Sequence, residues 1–218
     1  MGGSYFNIAR NKLIKARSIA DAGLVITRDD KYVLSGLFHY RSVEIADVDA
    51  ERTKIWKPDY LFSTPNVSSI DVAPDNDTIA AGLINGDIRL YSIRKCEEKG
   101  NLSQGGWGVK VSFSPDGKML LSFSDNNSVK LWDVASQRCK RKWKTDNRVS
   151  SIKWLPGVPW IAFGTDRGEL IIESVEKGAT IYKGKVMERR ISDIDYLPTR
   201  RLFLLCDSWG SIAAFEIR

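Results

Sequence analysis

Hydrolysis or group transfer through a Ser-His-Asp or Cys-His arrangement needs an imidazole base, and His39 is the single histidine of the chain. It stands in Phe38-His39-Tyr40-Arg41, with no nucleophile elbow or catalytic cysteine signature around it. It reads as an exposed turn histidine. The same shortage of ligands argues against a metal site. Cys96, Cys139 and Cys206 are odd in number, widely spaced and free of any CxxC pair, which suits reduced thiols better than a disulfide framework or a zinc centre. Gln104-Gly105-Gly106-Trp107 lacks the strand-to-helix setting of a phosphate loop. No catalytic, metal-binding or cofactor residue is expected, and the chain does not read as an enzyme.

A second chemistry is open to the cationic run from Arg138 to Arg148. Lys140, Arg141, Lys142 and Lys144 could sit on phosphates while Trp143 stacks on a base. The competing reading is an outer sheet strand, in which lysines guard the edge against unwanted pairing. The net charge of +6 and pI near 9.2 permit an acidic partner without requiring one.

A chain of 218 residues with 43% apolar and 28% charged residues has room for one large domain or two small ones, and is ordinary for a globular protein. No apolar run approaches the roughly 18 residues of a membrane span. The opening MGGSYFNIARNKL has no secretory core, and Phe6 stands where a myristoylation signal wants Ser or Thr. The expected address is intracellular, cytoplasmic or nuclear.

The elements that would position these residues come from a repeat. VSSIDVAPDNDTIAAGLINGDIRLYSI (67–93) and VKVSFSPDGKMLLSFSDNNSVKLWDV (109–134) are its clearest copies. Two more follow at 149–175 and 191–217, and a weaker one precedes them at 24–48. Pro74, Pro115, Pro156 and Pro198 mark the first turn, with Arg28 at the matching place. The third apolar stretch begins 16 residues beyond each proline and 17 beyond Arg28. Apolar residues alternate in the first stretch, as in Ile70 and Val72 or Val111 and Phe113, the period of a half-buried strand. The second stretch is nearly all apolar, as a strand buried on both faces should be. Gly36, Gly82 and Gly164 share one position in it, which suits crowded sheets. At least fifteen strands in five sheets are expected, with no helix longer than about three turns.

SFSPDGKMLLSFSDNNSVKLWDV, with Trp132-Asp133 in the signature place, resembles the core of a WD40 repeat. The resemblance covers roughly residues 20–218, one repeat with a clear Trp-Asp and four degenerate. It implies an all-β, WD40-like β-propeller of about five four-stranded blades, over about 20–65, 66–106, 107–147, 148–189 and 190–218. Segment 1–19 is a candidate closing outer strand, through Tyr5 to Ile19. An incomplete ring, or one completed by another chain, is favoured over a closed one. The family's Gly-His dipeptide is missing, so its buried hydrogen-bonded tetrad is not expected and the blades should rely on apolar packing.

In this family one channel mouth is formed by the turn between second and third strands and by the approach to the first strand. The resemblance places His39, Asn85, Asn126, Arg167 and Trp209 in the one set, and Ala20, Asn66, Trp107, Arg148 and Arg190 in the other. Two tryptophans and three arginines are residue types of interface hot spots, whereas bland turns prefer Gly, Asn, Asp and Ser. His39, Trp107, Arg148, Arg167, Arg190 and Trp209 are therefore the candidate partner-binding residues. The implied function is a non-catalytic protein-interaction scaffold in a multiprotein complex, binding acidic or aromatic segments at the rim. Strand donation or ring completion by a partner is a further contact it allows. The alternative is an RNA- or ribonucleoprotein-associated propeller using Lys140, Arg141, Lys142 and Lys144.

Overall fold

Strands form where apolar and polar residues alternate, and they stop where the backbone must enter the left-handed region. Asp30, Asn76 and Gly117 take φ of 58°, 57° and 72° two residues after Arg28, Pro74 and Pro115. The N–H of each closes back three residues, as from Asn76 to the Ala73 carbonyl at 3.1 Å and from Gly117 to that of Ser114 at 2.9 Å. Asn, Asp and Gly tolerate that conformation best, so the turns recur with the repeat.

The computed structural model describes residues 4–7, 12–15, 23–37, 42–47, 52–56 and 66–216, and among them there are only strands and turns. The hairpin of β1 (Ser4–Asn7) and β2 (Lys12–Lys15) stands first. One sheet runs in order through β3 (Leu24–Ile26), β4 (Tyr32–Leu37), β5 (Ser42–Asp47) and β6 (Arg52–Trp56). The next holds β7 (Val67–Val72), β8 (Thr78–Leu83), β9 (Asp87–Ser92) and β10 (Glu97–Ser103). A third holds β11 (Lys110–Phe113), β12 (Met119–Phe123), β13 (Ser128–Asp133) and β14 (Arg138–Lys144). β15 (Val149–Trp154), β16 (Trp160–Thr165), β17 (Glu169–Ser174) and β18 (Thr180–Lys185) make the fourth. The last has three strands, β19 (Ile191–Leu197), β20 (Leu202–Asp207) and β21 (Ile212–Glu216). In segment 1–19, the candidate closing strand, β1 and β2 pair with each other, a closure of low entropic cost. Among the described residues β21 is thus a sheet edge.

The chain divides into two compact units, Met1–Ser124 with Lys130–Arg141, and Asp125–Val129 with Lys142–Arg218. In the first unit, Leu34, Val43 and Ile45 pack with Ile70, Ile79 and Ala81. There too Ala80, Ile88 and Leu90 pack with Val111, Phe113 and Trp132. In the second, Ala162, Leu170 and Ile172 pack with Ile194, Tyr196 and Phe203. Each core is one sheet's apolar face laid on the next, the driving term being the apolar area removed from water.

The buried polar groups include one arrangement that the missing Gly-His had argued against. Trp132 Nε1–H donates to Ser122 Oγ at 2.7 Å, and Ser122 Oγ–H donates to Gln104 Oε1 at 2.6 Å. All three side chains are buried. The glutamine amide oxygen accepts as an imidazole nitrogen would, so apolar packing is not alone in holding this repeat. Serines also tie one sheet to its neighbour inside each unit. Ser69 Oγ–H donates to the Val109 carbonyl at 3.0 Å, and Ser151 Oγ–H to that of Ile191 at 3.1 Å.

Asp71 makes a similar link, its carboxylate accepting the N–H groups of Phe113 at 2.7 Å and Val72 at 2.8 Å. Burial nevertheless pushes its pKa up to about 6. A carboxyl with a raised native pKa takes up a proton in the folded chain before the unfolded one does. Its contribution to stability therefore grows as pH falls from about 7 towards 4 and is lost as pH rises through about 6. Asp71→Asn, which keeps one acceptor oxygen but turns its NH2 towards the second of the two N–H groups, should remove this part of the pH dependence. Urea titrations of both proteins at pH 5 and 7.5 check it, and identical pH dependence in the two would contradict it.

Candidate partner-binding rim

In the second unit the loops carrying the candidate arginines are fixed by backbone hydrogen bonds. The Arg148 carbonyl, one residue before β15, accepts the Asp166 N–H at 2.9 Å. Arg167 is followed by Gly168 at φ 78°, in the turn from β16 to β17. The Gly168 carbonyl accepts the N–H groups of Val186 at 2.9 Å and Met187 at 3.1 Å. A Cβ at residue 168 would stand 2.0 Å from the Met187 carbonyl oxygen and 2.8 Å from that of Arg189, so only glycine lets segment 186–190 lie across this turn. Arg148, Arg167 and the Arg189-Arg190 doublet thus come from loops held to one another.

Trp209 lies in the turn from β20 to β21 and is 76% exposed. Asp207 Oδ1 shapes that turn by accepting the N–H groups of Trp209 at 2.8 Å and Ser211 at 2.9 Å. The bond from Ser211, with that from Trp209 and the nearby Arg189, holds the Asp207 carboxyl below its ordinary range. The Arg189 guanidinium stacks over the Trp209 ring at 3.9 Å from its centroid and stands 3.9 Å from the Asp207 carboxylate. Such stacking orients an arginine without neutralising it. Arg148, Arg167 and Arg190 are exposed and form no ion pair with another described residue.

The first unit repeats the construction with other side chains. The Gly86 carbonyl accepts the N–H groups of Gln104 and Gly105, and the Asn66 carbonyl accepts that of Ile84. Trp107, 62% exposed, lies between Gly106 at φ 76° and Gly108 at φ 69°. Asn85 Nδ2 donates to Asp87 at 2.8 Å, as a structural turn asparagine does. Of the candidates, Arg148, Arg167, Arg190 and Trp209 lie on connected or neighbouring loops of one unit and Trp107 lies in the other. His39 and Ala20 lie outside the described residues. Arg189 and Asp207 were missed. The doublet Arg189-Arg190 and the spacing Asp207-x-Trp209-Gly210, an Asx-turn pattern, were the signals available for them.

The cationic run forms β14, with Lys140, Lys142 and Lys144 exposed and Arg141 and Trp143 half-buried. Trp143 meets Phe163 edge-on at 5.7 Å between centroids, so its ring is committed to packing. Lys140 lies 3.8 Å from the Asp133 carboxylate. Among the described residues no group of His, Cys, Asp or Glu could hold a metal ion, and no helix is long and apolar enough to cross a membrane.

With this geometry in place, likeness to known proteins can be judged. Residues 100–133 match the family described as WD domain, G-beta repeat. WD repeat-containing protein 55 of Danio rerio is 31% identical over 144 residues, 63% of this chain and 37% of that protein. The U3 small nucleolar RNA-associated protein 18 homolog of Arabidopsis thaliana is 29% identical over 136 residues, 62% of this chain and 24% of its own length. The chain thus spans well under half of these curated relatives. A chain in the crystal structure of the mitotic checkpoint complex superposes with a TM-score of 0.85, covering 100% of this chain and 68% of that one at 16% identity. That likeness concerns the fold.

Proposed function

Because residues 100–133 match the WD domain, G-beta repeat family and the chain is built of WD40-like propeller sheets, we propose that it is a non-catalytic scaffold that holds protein partners within a multiprotein complex. The observation that carries the reading is the second unit's rim, where Trp209 is exposed beneath Arg189 near Arg148, Arg167 and Arg190. A large exposed aromatic is costly unless something covers it, and arginine beside it can grip carboxylates in bidentate fashion. Acidic or aromatic partner segments fit that surface. Trp107 extends the same chemistry in the first unit, and His39 is the corresponding candidate in the first repeat. The open edge of β21 offers a place for a donated strand. An address in the cytoplasm or nucleus accords with this role.

An RNA-associated role is the second reading, favoured by the exposed Lys140, Lys142 and Lys144 with Arg141 on β14 and by the RNA-associated relative. The two differ in response to salt, since phosphate binding weakens steeply as counterions are restored. The test compares a glutamate-rich peptide carrying one aromatic residue with single-stranded RNA of similar length, at low and physiological salt. Changing Arg148, Arg167 and Arg190 together to Ala should weaken peptide binding by about 2 kcal/mol or more. The triple change at Lys140, Lys142 and Lys144 should leave the peptide nearly untouched and act mainly on RNA. Binding controlled by the strand lysines alone would reject the rim as the working surface.

A further inference from the structure

The two units fill the same place in the repeat differently. The residue before the turn proline, the fourth after it and the strand partner of the sixteenth surround that place at the foot of a sheet. In the second unit these are Leu155, Trp160 and Tyr182, the last paired with Ile172. All three pack with that unit's core, and Tyr182 reaches Phe215 of the adjoining sheet at 4.9 Å between ring centroids. In the first unit the same places hold Ala73, Thr78 and Gly100, the last paired with Leu90. Small side chains stand where large ones did, and a cleft of about 480 Å³ opens between the β7–β10 and β11–β14 sheets. Sites of roughly 300–1,000 Å³ are of the size that holds a ligand.

All of the cleft's lining lies in the first unit. Ala73, Leu90, Val134 and Ala135 give it aliphatic surface. Fixed contacts bound it. The Gln137 amide lies where a Cβ on Gly100 would stand and donates to the Lys99 carbonyl at 2.6 Å. A Cβ on Gly117 would stand 2.9 Å from Pro74 Cδ, so the two turns also meet closely. Asp75, Asp116 and Asp133 line the cleft against Lys99 and Lys118, three carboxylates to two ammonium groups. Lys99 Nζ already donates to Thr78 Oγ1 at 2.7 Å. Asp116 Oδ1 accepts the Ser114 hydroxyl at 2.6 Å, and Asp133 Oδ1 accepts the Ser136 N–H and hydroxyl at 2.8 Å. The Ser114 hydroxyl on the one and the Ser136 N–H on the other hold both carboxyls below their ordinary range. Lys140 stands 3.8 Å from Asp133 Oδ2, beyond hydrogen-bond reach.

We propose that this cleft is a docking site for an extended segment of another protein, which inserts a leucine-sized or aromatic side chain against Ala73, Leu90 and Val134 and sets an arginine beside Asp116 and Asp133. The second unit supplies the pattern for the apolar anchor, since Leu155, Trp160 and Tyr182 occupy the equivalent place there. The arginine follows from the charge of the walls, because a guanidinium fork bonds carboxylate oxygens in pairs. The aliphatic stem of an arginine can lie along apolar surface while its head stays at the rim. The cleft is at the opposite ends of the strands from Trp107, which precedes β11 whereas Asp116 follows it. A partner held here and one held at the rim therefore need not compete.

The test titrates the whole 218-residue chain with capped peptides that carry one leucine and one arginine among glycines, followed by NMR at Ala73, Lys118 and Val134. Replacing the leucine by glycine, or the arginine by glutamate, should each weaken binding at least about tenfold, the scale of a hot-spot loss. Asp116→Asn together with Asp133→Asn keeps the Oδ1 acceptor of each turn and should abolish the preference for arginine over glutamate. Ala73→Leu installs the second unit's side chain, and should block the peptide while stability holds or rises, because it fills a cavity. Ala135→Phe, at an exposed position of the lining, should block it independently, with circular dichroism as the folding check. Changing Arg148, Arg167 and Arg190 to Ala should leave these resonance shifts intact. No shift at the three residues up to millimolar peptide overturns the proposal. So does binding that both Ala73→Leu and Ala135→Phe leave unchanged, or that treats the arginine and glutamate peptides alike.

Discussion

Trp132→Ala is expected to lower folding stability by about 3–5 kcal/mol, the cost of removing a large buried ring and leaving its cavity. Trp132 is 6% exposed, packs with Val111, Phe113 and Leu120, and its N–H starts the buried chain through Ser122 to Gln104. The variant loses the ring's dispersion contacts and leaves Ser122 Oγ without its donor. Trp132→Phe separates the two contributions, since it keeps most of the ring and should cost roughly 1–2 kcal/mol through the lost hydrogen bond and shape. Trp209→Ala is the control. Its ring is 76% exposed, so the loss is limited to stacking with Arg189, about 0.5–1 kcal/mol. Urea titration of the three variants decides the matter. Equal losses at residues 132 and 209 would mean that the rim tryptophan is part of a core.

What the sequence made legible follows from the same division between core and rim. The turn residues are local in their physics, so Pro74 with Asn76 and Pro115 with Gly117 announced both the turn and the register of the strands on either side. The outer strand of the cationic run was also visible, since Arg138–Lys144 alternates as an edge strand does. The Gln104 partner of Ser122 was not, because its role depends on a contact across 18 residues of sequence and glutamine is a common loop residue. Register reasoning selected Arg190 for the rim, yet the side chain on Trp209 is that of Arg189. A rule that counts positions along a repeat fixes where the backbone passes, and leaves open which of two adjacent arginines bends towards an aromatic face. The raised pKa of Asp71 is hidden for a similar reason. Its place between Ile70 and Val72, on the polar side of an alternating strand, gave no sign that its carboxylate would be enclosed against Phe113 of the following sheet.

Gly82→Ala should destabilise by about 3 kcal/mol or more although it adds one methyl group, at the upper end of what overpacking costs. The reason lies in what the added carbon meets. A Cβ at residue 82 would stand 2.3 Å from the Val109 carbonyl oxygen and 2.9 Å from Ser69 Oγ. Ser69 is also the residue whose hydroxyl bonds that carbonyl, so the methyl group would push apart the two strands that the serine joins. Backbone cannot swing aside as a side chain can, and the local packing must open or lose the hydrogen bond. Gly164→Ala tests the same position in the second unit, where the Cβ would meet Ser151 Oγ at 2.4 Å and Ile191 Cβ at 2.7 Å. These are side-chain atoms, with somewhat more freedom, so the cost should be large but smaller. Gly184→Ala supplies the contrast, because its nearest neighbour is the Tyr182 hydroxyl at 2.5 Å, the far end of a side chain that can rotate. There the effect should stay within about 1 kcal/mol. The order Gly82, then Gly164, then Gly184 in thermal or urea unfolding is the expected result. A Gly82→Ala protein as stable as Gly184→Ala would show that neighbouring sheets do not approach one another at this position as closely as the glycine implies.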